Sequence, residues 1–167
     1  MGFKKTSDLI AISFDVDETG ANTFSQDEIA LQLDILNNEI FVVLACDLNL
    51  AAPDMTAGTN SDVRASVAST SQTVVANLGD TNCIAVAQDA IRSDSPTAAV
   101  AFTRAAEETY SGKIDYISLI ATNNFFVQLK GSGNIGAKGV NGRVWGYRAK
   151  ADASTYAALV QSEVLSA

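Results

Sequence analysis

Residues 113–150 constrain this chain more than any other stretch. They read KIDYISLIA, the pair Asn123-Asn124, FFVQLK, the glycine-studded loop GSGNIGAKGVNG and then RVWGYRAK. Three apolar runs of strand length, parted by Asn and Gly, suit antiparallel pairing, because left-handed backbone at corners costs little only for those two residues. The chain then closes on one short amphipathic stretch. The pattern predicts a mainly β fold, an antiparallel β-sandwich, rather than an enzyme scaffold.

The remaining sequence agrees. A first strand is expected over Asp8 to Val16, followed by the polar turn DETGANTFSQ. From Glu28 to Leu36 the alternation is clean, with Ile29, Leu31, Leu33 and Ile35 on one face, so period two predicts a half-buried strand. Asn37-Asn38 turns the chain into EIFVVLACDLNL, apolar on both faces at its centre and hence a central strand. Pro53 ends that run, PDMTAGTNSD is loop by composition, and SDVRASVASTSQTVVANL reads as one bent strand or two short ones. Gly79 to Asn82 form a turn before the strand CIAVAQDAI. Seven or more short strands spaced by turn signals favour a sandwich or barrel.

Two helices are expected. Ser95 is placed to cap, Pro96 suits a first helical position, the interior is Ala-rich and Gly112 is placed to stop it, which predicts a helix near 96–110. The second runs from near Ser154 to Leu165, with Ser154 as cap and Tyr156, Leu159, Val160 and Val164 as an inward stripe. The 167 residues make one domain, 1–167, large enough for a proper core. No apolar run is long enough to span a bilayer. Lys4 and Lys5 precede an apolar stretch, but Ser13, Asp15 and Asp17 interrupt it, so it reads as the first strand and not as a cleaved leader.

Histidine is absent, which removes the commonest acid/base near neutral pH and every Ser-His or Cys-His nucleophile arrangement. No enzyme is predicted. Cys46 and Cys83 lie in apolar runs and read as small buried hydrophobes, with a disulfide or metal site as the alternative. The net charge of −8 is uneven: residues 1–110 carry 16 acidic and 5 basic side chains, residues 111–167 carry 3 and 6. An acidic body argues against direct nucleic-acid binding, which needs clustered cations. A basic edge formed by Lys130, Lys138, Arg143, Arg148 and Lys150 is a candidate assembly interface for an acidic neighbour; the alternative is that opposite charges meet within one monomer.

Four other patterns invite chemistry. Gly131, Gly133 and Gly136 spell a dinucleotide fingerprint, but no helical pattern follows to meet a pyrophosphate, so a flexible interstrand loop is expected. Asp15, Asp17 and Thr19 with Gly20 resemble the first half of a calcium loop, although Gln26 stands where a bidentate Glu belongs; Asp27 and Glu28 lie nearby. Asp34, Asp47 and Asp115 are candidate strand carboxylates for glycoside chemistry, and a wet face is the plainer reading. Trp145 and Tyr147 share one face of the final strand with Arg143 ahead of them, a platform for sugar if exposed and core if not.

The order of elements, the final strand RVWGYRA and the flanking segment STYAALVQSEVL give a chain that resembles the single jelly-roll coat (capsid) proteins of tailless icosahedral viruses. The resemblance implies about eight strands in two four-stranded sheets, capsomers built from copies of the chain with other coat proteins as further partners, and no catalysis, cofactor or small-molecule substrate. It implies location in the virion, after synthesis in the host cytoplasm. That family's basic nucleic-acid-binding arm is missing here, which implies a coat enclosing a membrane or an inner shell, or one whose genome is packaged without contacts from such an arm. Alternatives are a phage tail, head-decoration or surface-filament subunit, and a carbohydrate- or calcium-binding β-sandwich module. Only 18% of residues are charged, and Ala, Ser, Thr and Asn in outward positions give flat, low-entropy contact surfaces.

Overall fold

A computed structural model describes residues 2–104 and 114–167 of the chain. Its strands are β1 (Phe3–Lys5), β2 (Ile10–Asp17), β3 (Ser25–Ala30), β4 (Glu39–Leu50), β5 (Ser61–Ala68), β6 (Cys83–Ser95), β7 (Ala98–Arg104), β8 (Ser118–Ile120), β9 (Asn124–Ser132) and β10 (Gly139–Ala151), followed by helix α1 (Ala153–Leu165). They form two antiparallel five-stranded sheets. One sheet, here the first, has the order β10-β4-β8, with β2 and β1 end to end along the free edge of β10. The second has the order β3-β9-β5-β6-β7.

The pairing has a simple rule. Leaving out β1 and β7, eight strands remain, and the first pairs with the last, the second with the seventh, the third with the sixth and the fourth with the fifth. That is one long antiparallel double ribbon, rolled so that β10 also meets β4 and β9 also meets β5. An eight-stranded ribbon rolled in this way is a jelly roll. The expected fold class is therefore present, with five strands per sheet in place of four because β1 and β7 extend the two sheets.

The core lies between the sheets. Phe14, Val16, Phe41, Val43, Val63, Val67, Ile120, Phe125, Val127, Leu129, Val140 and Val144 pack there, each at the inward parity of its strand. Gly142 and Gly146 of β10 share that parity. A Cβ on Gly142 would fall 2.7 Å from the Phe14 ring, and one on Gly146 would fall 2.6 Å from the Phe41 ring. The two phenyl rings lie across bare backbone, which glycine alone permits.

A second, smaller cluster lies on the opposite face of the first sheet. Ile40, Val42, Ala149 and Ala151 meet Tyr156, Leu159 and Val160 of α1 there. This explains why EIFVVL is apolar on both faces: β4 is a central strand with core on one side and helix on the other. Its register skips Leu44 opposite Trp145 and Gly146, so Leu44 and Ala45 both fall outside the inward set.

Several local expectations need correction. Residues 98–104 form strand β7, not helix, and residues 105–110 of the expected helix lie outside the described residues. Val100, Phe102 and Thr103 are good strand formers, and the ladder with β6 outweighs the Ala-rich helix propensity. Ser95, Pro96 and Thr97 make the connecting turn instead of a cap, with the Ser93 hydroxyl near the carbonyls of Ser95 and Ala98. The alternation from Glu28 outlasts its strand: β3 stops at Ala30, Leu31 and Leu33 reach the core without strand pairing, and Ile35 begins a 3-10 turn and stays exposed. Asn38 is left-handed (φ 55°), as its turn position suggested. The cap of α1 is Asp152, two residues before Ser154, accepting from the Thr155 amide at 2.8 Å. Val164 points to solvent, while Glu163 beside it turns inward.

Candidate assembly surfaces

Strand parity assigns the surfaces. On the first sheet, α1 covers only the end of the outer face nearest Ile40 and Ala151. The other end is an open shelf. There Arg143 lies between Ser13 and Asp47, Asn141 between Asp15 and Asn49, and Trp145 between Ala11 and Ala45. The Arg143 Nε donates to the Ser13 hydroxyl at 3.1 Å, and its guanidinium lies 5.3 Å from the centre of the Trp145 ring. A shallow groove of about 450 Å3 runs over these residues. Trp145 is thus neither core nor bare: its alanine neighbours leave one side of a half-buried indole open.

The second sheet's outer face is divided the same way. The segment 69–82 lies over one part, held by a polar ladder. Ser66 Oγ donates to Gln128 Oε1 (2.7 Å), Gln128 Nε2 donates to Gln26 Oε1 (2.9 Å), and that oxygen also accepts from the Gln72 amide (2.8 Å). The Ala76 amide closes the ladder on Ser66 Oγ at 2.9 Å. Gln128 is wholly buried, so the ladder satisfies polar groups that could not otherwise leave water cheaply. The other part is left open by the described residues. Lys130 pairs with Arg64, Arg64 with Gln88 and Gln88 with Arg104, which sets four outward side chains in a transverse row. Strands about 4.8 Å apart make that row roughly 14 Å long. Beside it, Phe102 and Val100 are 57% and 58% exposed.

The five cations of the expected basic edge do not form one edge. Lys130 lies in the row just described. Lys138 is held internally: its Nζ is 2.6 Å from Asp54 Oδ1 and its side chain is only 12% exposed. Arg143 is on the shelf of the opposite sheet. Arg148 turns inward, donating to the Leu31 carbonyl at 3.1 Å, with its Nε buried and unpartnered. Lys150 is exposed near the chain start, between Lys4 and Glu39.

The calcium candidates lie along β2 and the turn after it. Asp15 and Asp17 are exposed on β2, on the shelf side, and Thr19 is in the following turn, its amide donating to Ser25 Oγ at 3.3 Å. Glu18, between them, faces the other way. It is 6% exposed, and its two oxygens accept from the Gly131 amide (2.6 Å) and the Lys138 amide (2.9 Å). Asp34 and Asp115 lie outside strands and Asp47 within β4; all three are exposed. Among the described residues no three His, Cys, Asp or Glu side chains gather as for a metal ion.

Glu18 belongs to a network that the sequence did not announce. Asp54 Oδ2 accepts from the amides of Ile135 (3.0 Å) and Gly136 (3.1 Å), and its other oxygen meets Lys138. Asn134 exchanges two hydrogen bonds with Asn22 at 2.9 Å and donates to the Asp62 carbonyl at 2.9 Å. Gly133 is left-handed (φ 67°), where a Cβ would strike Asn60 backbone. The expected flexible loop is therefore pinned from three sides. Lys138, first among the causes, holds the Asp54 carboxyl below its ordinary value.

Both cysteines are free thiols. Burial pushes Cys46 up to about 12 and Cys83 up to about 11, so neither is a thiolate near neutral pH. No helix of the described residues is long and apolar enough to cross a membrane.

No family model matches the chain, and no curated protein does. Among solved structures, a chain of desmodium yellow mottle tymovirus aligns over 88% of this chain and 91% of its own length. The identity is 10% and the TM-score 0.34, a likeness too slight to carry an argument. The jelly-roll assignment rests on the strand pairing itself.

Proposed function

We propose that this chain is a self-assembling coat subunit of an icosahedral virus, acting by rigid packing and lateral contact. The observation that carries the reading is strand β7. Among the described residues it forms the margin of the second sheet, all seven of its residues are exposed, and Val100 and Phe102 stand outward among them. An apolar edge strand is a liability for a solitary protein and a ready seam for a protein that lives among its copies. The rolled sandwich, the pinned 133–138 loop and the scarcity of charge support the same role. Location in a virion, the company of other coat proteins, and a membrane or inner shell beneath belong to this proposal. Negative-stain imaging of concentrated protein tests it. Closed shells or discrete rings support a coat, tubes point to a tail or filament, and single particles at every concentration overturn it.

One observation favours a second reading, a carbohydrate-binding module. Trp145 presents an open indole on a shelf that also carries Asp47, Asn49 and Asn141. Retention on a glycan array that is lost in Trp145→Ala would establish it.

A further inference from the structure

The two open surfaces complement each other. The transverse row of the second sheet offers Lys130, Arg64 and Arg104, and Arg92 stands opposite Val100 on the neighbouring strand. Asp62, beneath Arg64, is buried and 3.7 Å from its Nε, and one of its carboxylate oxygens has no partner. Beside these cations are the apolar side chains of Phe102 and Val100. The shelf of the first sheet offers Asp15, Asp17 and Asp47 around the single cation Arg143, with Trp145 between two alanines. The row thus sets cations beside an apolar patch, and the shelf sets a net excess of carboxylates beside an aromatic one. The signs are opposite, and the surfaces lie on opposite outer faces of one sandwich.

We infer that the cationic row of the second sheet docks on the acidic shelf of the first sheet of another copy, head to tail. This deepens the coat reading and rests on it. Such a contact joins two different patches, so it propagates from copy to copy and closes into a ring where the rotation allows. Phe102 and Trp145 supply the apolar centre, and the charges around them fix register and reject the reversed arrangement. Like faces repel: row against row sets cation on cation, and shelf against shelf sets carboxylate on carboxylate.

The test uses two charge-reversed proteins. Lys130→Glu with Arg104→Glu reverses the row and leaves Arg64 on Asp62; Asp15→Lys with Asp47→Lys reverses the shelf. Circular dichroism and melting temperature confirm that each folds. Light scattering at low salt then follows association. Each variant alone is expected to need about a hundredfold more protein to associate than the parent. Mixed in equal amounts they are expected to recover, because an unaltered row then meets an unaltered shelf and a reversed row meets a reversed shelf. Assembly of both single preparations at the parent's concentration would overturn the docking and leave the coat reading standing. Failure of the mixture to recover, with both proteins folded, would overturn the docking too. A parent that never associates would remove both.

Discussion

The two outer faces of this sandwich are each half sealed, and by different means. On the first sheet the seal is apolar: Tyr156, Leu159 and Val160 of α1 lie on Ile40, Val42, Ala149 and Ala151. On the second it is polar, a ladder of Ser66, Gln128, Gln26 and Gln72 under the segment 69–82. An apolar seal tolerates small shifts, since burial has no direction; a hydrogen-bonded ladder holds only when every member is present. Yet the apolar seal also carries a polar anchor. Glu163 accepts from the Ala121 amide (2.8 Å) and the Thr122 amide (3.1 Å), and so closes the backbone at the end of β8.

The sharpest way to break the contrast is at that anchor. Glu163→Ala strands two backbone amides, one of them fully buried, and should cost about 3 kcal/mol in chemical denaturation. A loss under 1 kcal/mol would mean that the helix is held by apolar contact alone. Ser66→Ala removes both a donor to Gln128 and the acceptor for Ala76, and should cost about 2 kcal/mol. Hydrogen exchange should quicken across 69–82 and stay unchanged in α1. Asp152→Ala removes the helix cap and should lower the melting temperature by less than either of these substitutions.

The smallest effect is in pH. Burial raises the Glu163 carboxyl above its ordinary 4.5, against the hydrogen bonds that pull it down. A raised value means that the folded state holds this proton more tightly. Its stabilising contribution is therefore complete below about pH 4.5 and is lost as pH rises through the folded value. Asp54 and Asp152 are lowered, Asp54 by Lys138 and Asp152 by the Thr155 amide, so their contributions run the other way and fade as pH falls through their depressed values. Glu163→Gln should remove the falling limb above about pH 4.5. An unchanged stability profile would show that the carboxyl does not titrate there.

The same two faces show what the sequence could disclose. Period-two alternation found most strands, and EIFVVL announced a strand covered on both sides. Alternation could not say which sheet a strand joins. KIDYISLIA, FFVQLK and RVWGYRAK look like three neighbours in one sheet, but β8 and β10 belong to the first and β9 to the second. Asn123 and the 133–138 loop are crossings between sheets, not hairpins; the Asn123 side chain accepts from the Leu33 amide at 2.6 Å. Cation counting found a basic C-terminal third but not the row, because Arg64, Arg104 and Lys130 become neighbours only through strand register. Glu18 was hidden for a similar reason. It follows Asp17 in a turn that reads as solvated acid, and its partners are more than a hundred residues away. Gly142 reads as part of the glycine-studded loop and Gly146 as one residue of the final strand, and their meaning is visible only with Phe14 and Phe41 lying on them.

Sedimentation velocity across a concentration series, at low and then high salt, decides whether copies of this chain bind one another. A chain that exists to contact its own copies should sediment as discrete larger species that grow with concentration and recede with salt, because exposed charges screen beyond about 10 Å at 0.1 M. A single slow boundary at the monomer's mass under every condition would contradict the account.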